Sequence, residues 1–158
     1  MSDSDGLTKV LVDLPNGNAV GGESLWAVEL GADRFELRNT PFHAYGLNFG
    51  DVVLARAERQ GEKPRVLEVL KPSGHRTLRV FFLGSTSEDE RLLHLGALGQ
   101  FGVSYERANA SLFALDLEPA GDMSGLRDAL DDLERDGILG YETAESRSPG
   151  SFDDDPPS

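Results

Sequence analysis

At 158 residues with 39% hydrophobic content, the chain suits one ordinary domain or two very small ones, with enough apolar material for a modest core. It contains no cysteine, which excludes disulfides, thiolate metal sites and thiol nucleophiles. The formal net charge of −13 is unevenly spread: residues 6–76 carry nine acids and nine bases, 77–141 twelve and five, 142–158 five and one, so no segment is net basic and nucleic acid is not an expected partner.

The start, Met1-Ser2-Asp3-Ser4-Asp5-Gly6, is acidic rather than basic and then apolar, and no run reaches the roughly 18 apolar residues of a membrane span. A cytoplasmic protein without a membrane partner is expected. Thr8–Leu14 then alternates Val10, Val12 and Leu14 on one face, and Leu25–Leu30 alternates Trp26, Val28 and Leu30. Gly31-Ala32-Asp33 turns the chain into Arg34–Arg38, where Phe35 and Leu37 alternate with charged neighbours, giving a hairpin over Leu25–Arg38. Strands are also predicted at Val52–Glu58 and Arg65–Leu70. Five short strands without a helix suit a small β-barrel or β-sandwich over residues 7–72, since closure removes exposed sheet edges.

Lys71-Pro72-Ser73-Gly74 breaks the pattern and is taken as the internal boundary. Thr77–Leu83 is an apolar strand, and Ser87-Glu88-Asp89-Glu90 is a capping box that starts a helix through Leu92, Leu95 and Leu98 to Gly102. His94 is expected at its surface or edge. Gly96 and Gly99 inside that helix cost roughly 1 kcal/mol each against alanine, and close packing on a sheet is the expected compensation. Strands at Ser104–Ala108 and Leu112–Leu117, a helix around Ser124–Asp136 capped by Gly137, and a strand at Ile138–Thr143 complete residues 73–144. The order strand, helix, strand, strand, helix, strand is that of a ferredoxin-like split βαβ half, βαββαβ. The predicted class is therefore α+β. Residues 145–158, rich in Ser, Pro, Gly and Asp, read as a disordered acidic tail.

The loop from Asn39 to Asp51 is the most unusual stretch, with Phe42, His43, Tyr45 and Asp51 in a short span. One reading makes His43 a proton carrier oriented by Asp51, with Tyr45 donating to a ligand; the simpler one has Phe42, Tyr45 and Phe49 plug one end of the barrel. The boundary segment Ser73-Gly74-His75-Arg76-Thr77 is the second candidate, because a junction between halves is a common ligand site. Trp26, Phe42, His43, Tyr45, Asp51, His75 and Arg76 are thus the candidate ligand- or partner-binding residues. Asp128, Asp131, Asp132 and Asp136 on the second helix form a candidate docking face that would steer a basic protein partner. No metal motif, phosphate-cradling loop, Gly-x-Ser-x-Gly elbow or His-Glu-x-x-His occurs, so no cofactor is predicted.

Several segments carry a resemblance: Glu23-Ser24-Leu25-Trp26-Ala27, Pro41-Phe42, Ala44-Tyr45-Gly46, Gly50-Asp51-Val52-Val53, Ser73-Gly74-His75, Thr77-Leu78-Arg79, Leu95-Gly96-Ala97-Leu98-Gly99 and Tyr105-Glu106. Together they resemble the uncharacterised bacterial family DUF4265 over most of residues 8–143. The resemblance implies no activity and transfers no catalytic residue. Three functions compete: a non-enzymatic interaction protein, regulatory or immunity-like; a small-ligand sensor; and an enzyme built on His43, Tyr45, Asp51 and His75. Homo-oligomerisation is compatible with each.

Overall fold

The computed structural model describes residues 6–14, 22–84 and 86–145, so the predicted tail beyond Glu145 lies outside the described residues. Strands β1 (Leu7–Asp13), β2 (Gly22–Gly31), β3 (Arg34–Leu37), β4 (Val52–Arg56) and β5 (Arg65–Lys71) form one sheet. Each pairs antiparallel with the next, and β1 returns to β5 through a parallel bridge at Leu11 and Arg65, closing the sheet on itself. Alternation fills the interior: Val10 and Val12, Phe35 and Leu37, and Val53 and Ala55 are all buried there. The predicted hairpin is present, its turn held by Gly31, Ala32 and Asp33 at positive φ.

The inward face of β2 holds Glu23, Leu25 and Ala27, whereas Trp26 and Leu30 are exposed. Trp26, Val28 and Leu30 do share a face, as expected, but it is the outer one. Both faces of this strand are apolar, so period two alone cannot choose between them, and the smaller pair fits the narrow interior of a closed five-stranded sheet.

The second sheet contains β6 (Arg76–Phe82), β7 (Val103–Arg107), β8 (Leu112–Leu117) and β9 (Leu139–Thr143), ordered β7-β8-β6-β9 with every neighbour antiparallel. Helices α1 (Glu88–Leu98) and α2 (Met123–Arg135) cover one face, where Leu95, Leu98, Leu126 and Leu130 pack with Leu78, Val80, Phe82, Phe113 and Leu115 in a second core. Fully burying each such leucine contributes about 1.5–3 kcal/mol. Among the described residues two sheets and two helices make an α+β fold.

Ser87 caps α1, accepting from Glu90 N–H at 3.2 Å, as the capping box requires. The expected role of the glycines fails. α1 stops at Leu98, Gly99 opens a 3-10 turn to Phe101, and a Cβ added at Gly96 or Gly99 would meet nothing within 4 Å. Both face open space rather than a close-packed sheet. The tight glycines are elsewhere: Gly125 of α2 would place a Cβ 2.4 Å from Asp122 Oδ2 and 2.8 Å from the Phe101 ring. Among the described residues no helix is long and apolar enough to cross a membrane.

Candidate functional site

The face of the second sheet away from α1 and α2 is ordered in rows by strand register. Ser104, Asp116 and Thr77 face one another across β7, β8 and β6; Glu106, Ala114, Arg79 and Glu142 form the next row; Leu112, Phe81 and Gly140 form the third. The middle row is ionic, and the loop between β3 and β4 is bound across it. Asn39 Nδ2 and Thr40 N–H donate to the Glu106 carboxylate at 3.0 and 2.7 Å. Arg79 donates from Nη1 to the carbonyls of Pro41 and Ala44 at 3.3 and 2.8 Å and from Nε to Glu142 at 2.9 Å, while Tyr45 Oη donates to the other Glu142 oxygen at 2.5 Å. Thr77 Oγ1 adds a bond to Leu47 O at 3.2 Å.

On the side of the first sheet two carboxylates hold the same loop. Glu23 accepts three successive backbone N–H groups, from Phe42, His43 and Ala44, at 2.6, 3.2 and 3.0 Å. Asp51, almost wholly buried, accepts from Asn48 N–H at 2.9 Å and from Ser73 N–H at 2.8 Å. Burial raises its carboxyl above the ordinary value of 3.8, and the Ser73 and Asn48 bonds oppose that shift. An irregular loop can be packed between two sheets only if its N–H groups find acceptors, and these carboxylates supply them. Ala44 and Leu47 are the loop residues that enter the first core. The plug is therefore aliphatic, with Phe42, Tyr45 and Phe49 only half-buried around it, because a small closed sheet has room for Ala and Leu but not for three rings.

The row ends are open on either side of this clamp. At one end His75 Nδ1 lies 2.9 and 3.1 Å from the two Asp116 oxygens, and both residues line a cleft of about 360 Å³ with Ser104, Gly102 and Glu118. The His75 ring is 23% exposed and Asp116 12%. Phe49 packs beside the imidazole with ring centroids 5.4 Å apart. Burial raises the Asp116 carboxyl above its ordinary value; the His75 contact opposes this, and Glu106 and Glu118 add to it. The tautomer that donates Nδ1–H to the carboxylate is the one that leaves Nε2 as the acceptor of the ring. At the other end a cleft of about 260 Å³ is lined by Phe81, Leu112, Gly140, Arg79 and Glu142.

His43, Tyr45, Asp51 and His75 do not form one hydrogen-bonded group. Asp51 and His75 both contact Ser73, whose hydroxyl accepts from His75 N–H at 3.1 Å. Tyr45 belongs to Glu142 and Arg79, and His43 is held through its backbone by Glu23. Arg76 pairs with Glu145 at the surface. Trp26 lies outward on β2 with the Lys9 ammonium 4.8 Å from its ring. Asp128, Asp131, Asp132 and Asp136 are all exposed; Asp131 accepts from Tyr141 Oη at 2.5 Å and Asp132 pairs with Arg135. Sequence reasoning from chemistry missed Asp116, Glu23, Glu106, Glu142 and Arg79. The resemblance segments did contain Glu23, Arg79 and Glu106, and the clamp gives those positions a physical reason. Among the described residues no group of three or more His, Cys, Asp or Glu is arranged to hold a metal ion.

The architecture is similar to that of a hypothetical protein from Neisseria gonorrhoeae, with a TM-score of 0.74 at 20% identity over 88% of this chain and 94% of that one. At that identity the likeness concerns the fold alone. No curated protein matches the chain. The family model described as a domain of unknown function, DUF4265, matches residues 23–141, which include the loop, its carboxylate partners Glu23, Asp51 and Glu106, Arg79 and the His75–Asp116 pair, and end one residue before Glu142. The chain belongs to the DUF4265 family.

Proposed function

We propose that this chain is a non-enzymatic cytoplasmic protein that binds a basic protein partner through the outer face of α2. The observation that carries the reading is the exposure of Asp128, Asp132 and Glu134 on that one helix and of Asp136 at its C-cap, opposed only by Arg127 and Arg135 in the same stretch. Such a face attracts cationic surfaces over about a Debye length, roughly 8 Å at physiological salt. We read the scaffold behind it as a small β-barrel followed by a ferredoxin-like half, a reading supported by the strand order β7-β8-β6-β9. The test is to identify a partner by cross-linking, purify it, and titrate it against the chain and the Asp128→Lys, Asp132→Lys, Asp136→Lys triple variant. Loss of affinity in the variant, with none on reversing Glu88, Asp89 and Glu90 of α1, is expected. Equal affinity in both variants would remove the α2 face from consideration.

A second reading, a small-ligand site, is favoured by the His75–Asp116 pair. An imidazole fixed by a two-oxygen contact and half-open to a cleft of about 360 Å³ can accept a proton or a hydrogen bond from a bound molecule. Thermal-shift screening of amino acids and nucleotides against the parent chain and His75→Ala tests it. Hits that survive His75→Ala unchanged argue against this cleft.

A further inference from the structure

The second sheet has two edges, β7 and β9, and their outward backbone groups are met differently. On β9 the Tyr141 N–H points away from β6 and donates to the Glu134 carboxylate of α2 at 3.3 Å. On β7, Glu118 N–H donates to Gly102 O and Ala108 N–H to Leu112 O. By alternation along that register Ser104 and Glu106 bond β8, and Val103, Tyr105 and Arg107 turn N–H and C=O outward. None of those three N–H groups meets an acceptor among the described residues. Bare edges are ordinarily blunted by proline, lysine or a bulge. Val103–Arg107 has no proline or lysine and keeps an unbroken register with β8. Its two charged side chains are turned into their own chain, Glu106 to Asn39 and Thr40, Arg107 to Glu88 and the Asn109 carbonyl. Tyr105 remains 41% exposed, its ring edge-on to Phe113.

We propose that β7 pairs with β7 of a second copy of this chain, antiparallel about a two-fold axis through Tyr105, so that two four-stranded sheets become one. The side chains select this register. An axis at Glu106 sets two carboxylates opposite each other and one at Arg107 two guanidiniums, both destabilising. An axis at Ser104 or Val103 runs the strand into Gly102, whose φ of 88° is left-handed and ends the ladder. The axis at Tyr105 uses the whole strand: Val103 faces Arg107 of the second copy, Ser104 faces its Glu106, and the two tyrosine rings meet. The Ser104 hydroxyl, exposed and without a partner among the described residues, gains an acceptor in that Glu106. Since Ser104 lines the His75 cleft, the second copy adds a carboxylate to its rim. The pairing rests on neither the α2 face nor a ligand in that cleft.

A short edge pair falls among the small interfaces, below about 1,200 Å², so the dimer is reversible. Sedimentation velocity of the full chain from about 1 μM to about 1 mM should show the mean mass rise from monomer toward dimer. Tyr105→Pro removes an outward N–H, where an edge strand tolerates proline, and should stay monomeric throughout. Ser104→Glu, at an exposed position, sets a carboxylate against Glu106 of the second copy and should weaken the dimer whether or not the proline variant folds; circular dichroism checks both. The chain has no cysteine, so register can be read directly. Tyr105→Cys places two thiols across the axis with Cα atoms about 5.5 Å apart, within disulfide range, and should oxidise to a covalent dimer at least about tenfold faster than Ser104→Cys. A chain monomeric at every concentration, a dimer undiminished by Ser104→Glu or by folded Tyr105→Pro, or equal cross-linking of the two cysteine variants would overturn the proposal.

Discussion

The guanidinium of Arg79 lies 4.6 Å from the ring centroid of Tyr45, and both side chains bond the same carboxylate, Glu142. A residue from the helix-backed sheet and one from the loop leaving the closed sheet therefore share one acceptor. Arg79→Met should destabilise the protein by about 2–4 kcal/mol, chiefly because it leaves two buried carbonyls without their donor, the half-exposed Glu142 carboxylate being able to turn to solvent. Tyr45→Phe keeps the ring under the guanidinium and loses only the hydroxyl, so about 1 kcal/mol is expected. Urea unfolding of the two variants measures the difference; equal losses would mean that Arg79 is not the pivot of the clamp.

Glu23 makes a sharper case, because its two oxygens accept from three consecutive N–H groups at this place. Glu23→Gln substitutes a donor for one acceptor and should cost about 2–3 kcal/mol. Amide exchange should accelerate at Phe42, His43 and Ala44 well before the strands of the second sheet are affected. Exchange that stays slow at those three amides would show that Glu23 is dispensable.

Asp116 and Asp51 both have carboxyls raised by burial. When the folded value lies above the unfolded one, the group's contribution is fully present below the ordinary value of 3.8 and is lost as pH rises through the folded value. Acidification from neutral toward 3.8 should therefore recover stability from these two groups, against the general loss from surface ion pairs. Asp116→Asn should flatten that component in a series of melting temperatures across the window. A slope identical to the parent's would exclude Asp116 as its source.

The glycines separate by environment. Gly96→Ala places a methyl group in open space within a helix and should stabilise the protein by about 1 kcal/mol. Gly125→Ala drives its Cβ against the capping carboxylate of Asp122 and the Phe101 ring, and should destabilise it by about 1–3 kcal/mol. Thermal melts of the two variants should move in opposite directions.

Local patterns made much of the fold legible. Period-two alternation located the strands, the Ser87 box began α1 where the helix begins, and helical spacing located α2. The inward face of β2 was not legible because Leu25 and Ala27 compete with Trp26 and Val28, and interior volume decides between them. The candidate site was legible only in part. Asp51 and His75 stood out by residue type, but the Asp116 partner of His75 is 41 residues away and reaches it only through the register of β6 with β8. Glu23 and Glu106 carry no local signal that sets them apart from other acids of the chain. Their role follows from the loop they meet, and that meeting is a tertiary fact.

Strand β1 pairs with both β2 and β5, yet it precedes the stretch 23–141 that the family model covers. A chain trimmed to that stretch would keep both helices and the His75 cleft, but it would lose Glu142, the acceptor that Arg79 and Tyr45 share, and the one strand that bonds the two ends of the first sheet together. Two unsatisfied backbone ladders, on β2 and β5, would then be left to pair with whatever strand comes next, including those of neighbouring molecules. Family boundaries drawn from sequence similarity are in this case a recipe for aggregation, and any expressed fragment needs Leu7–Asp13.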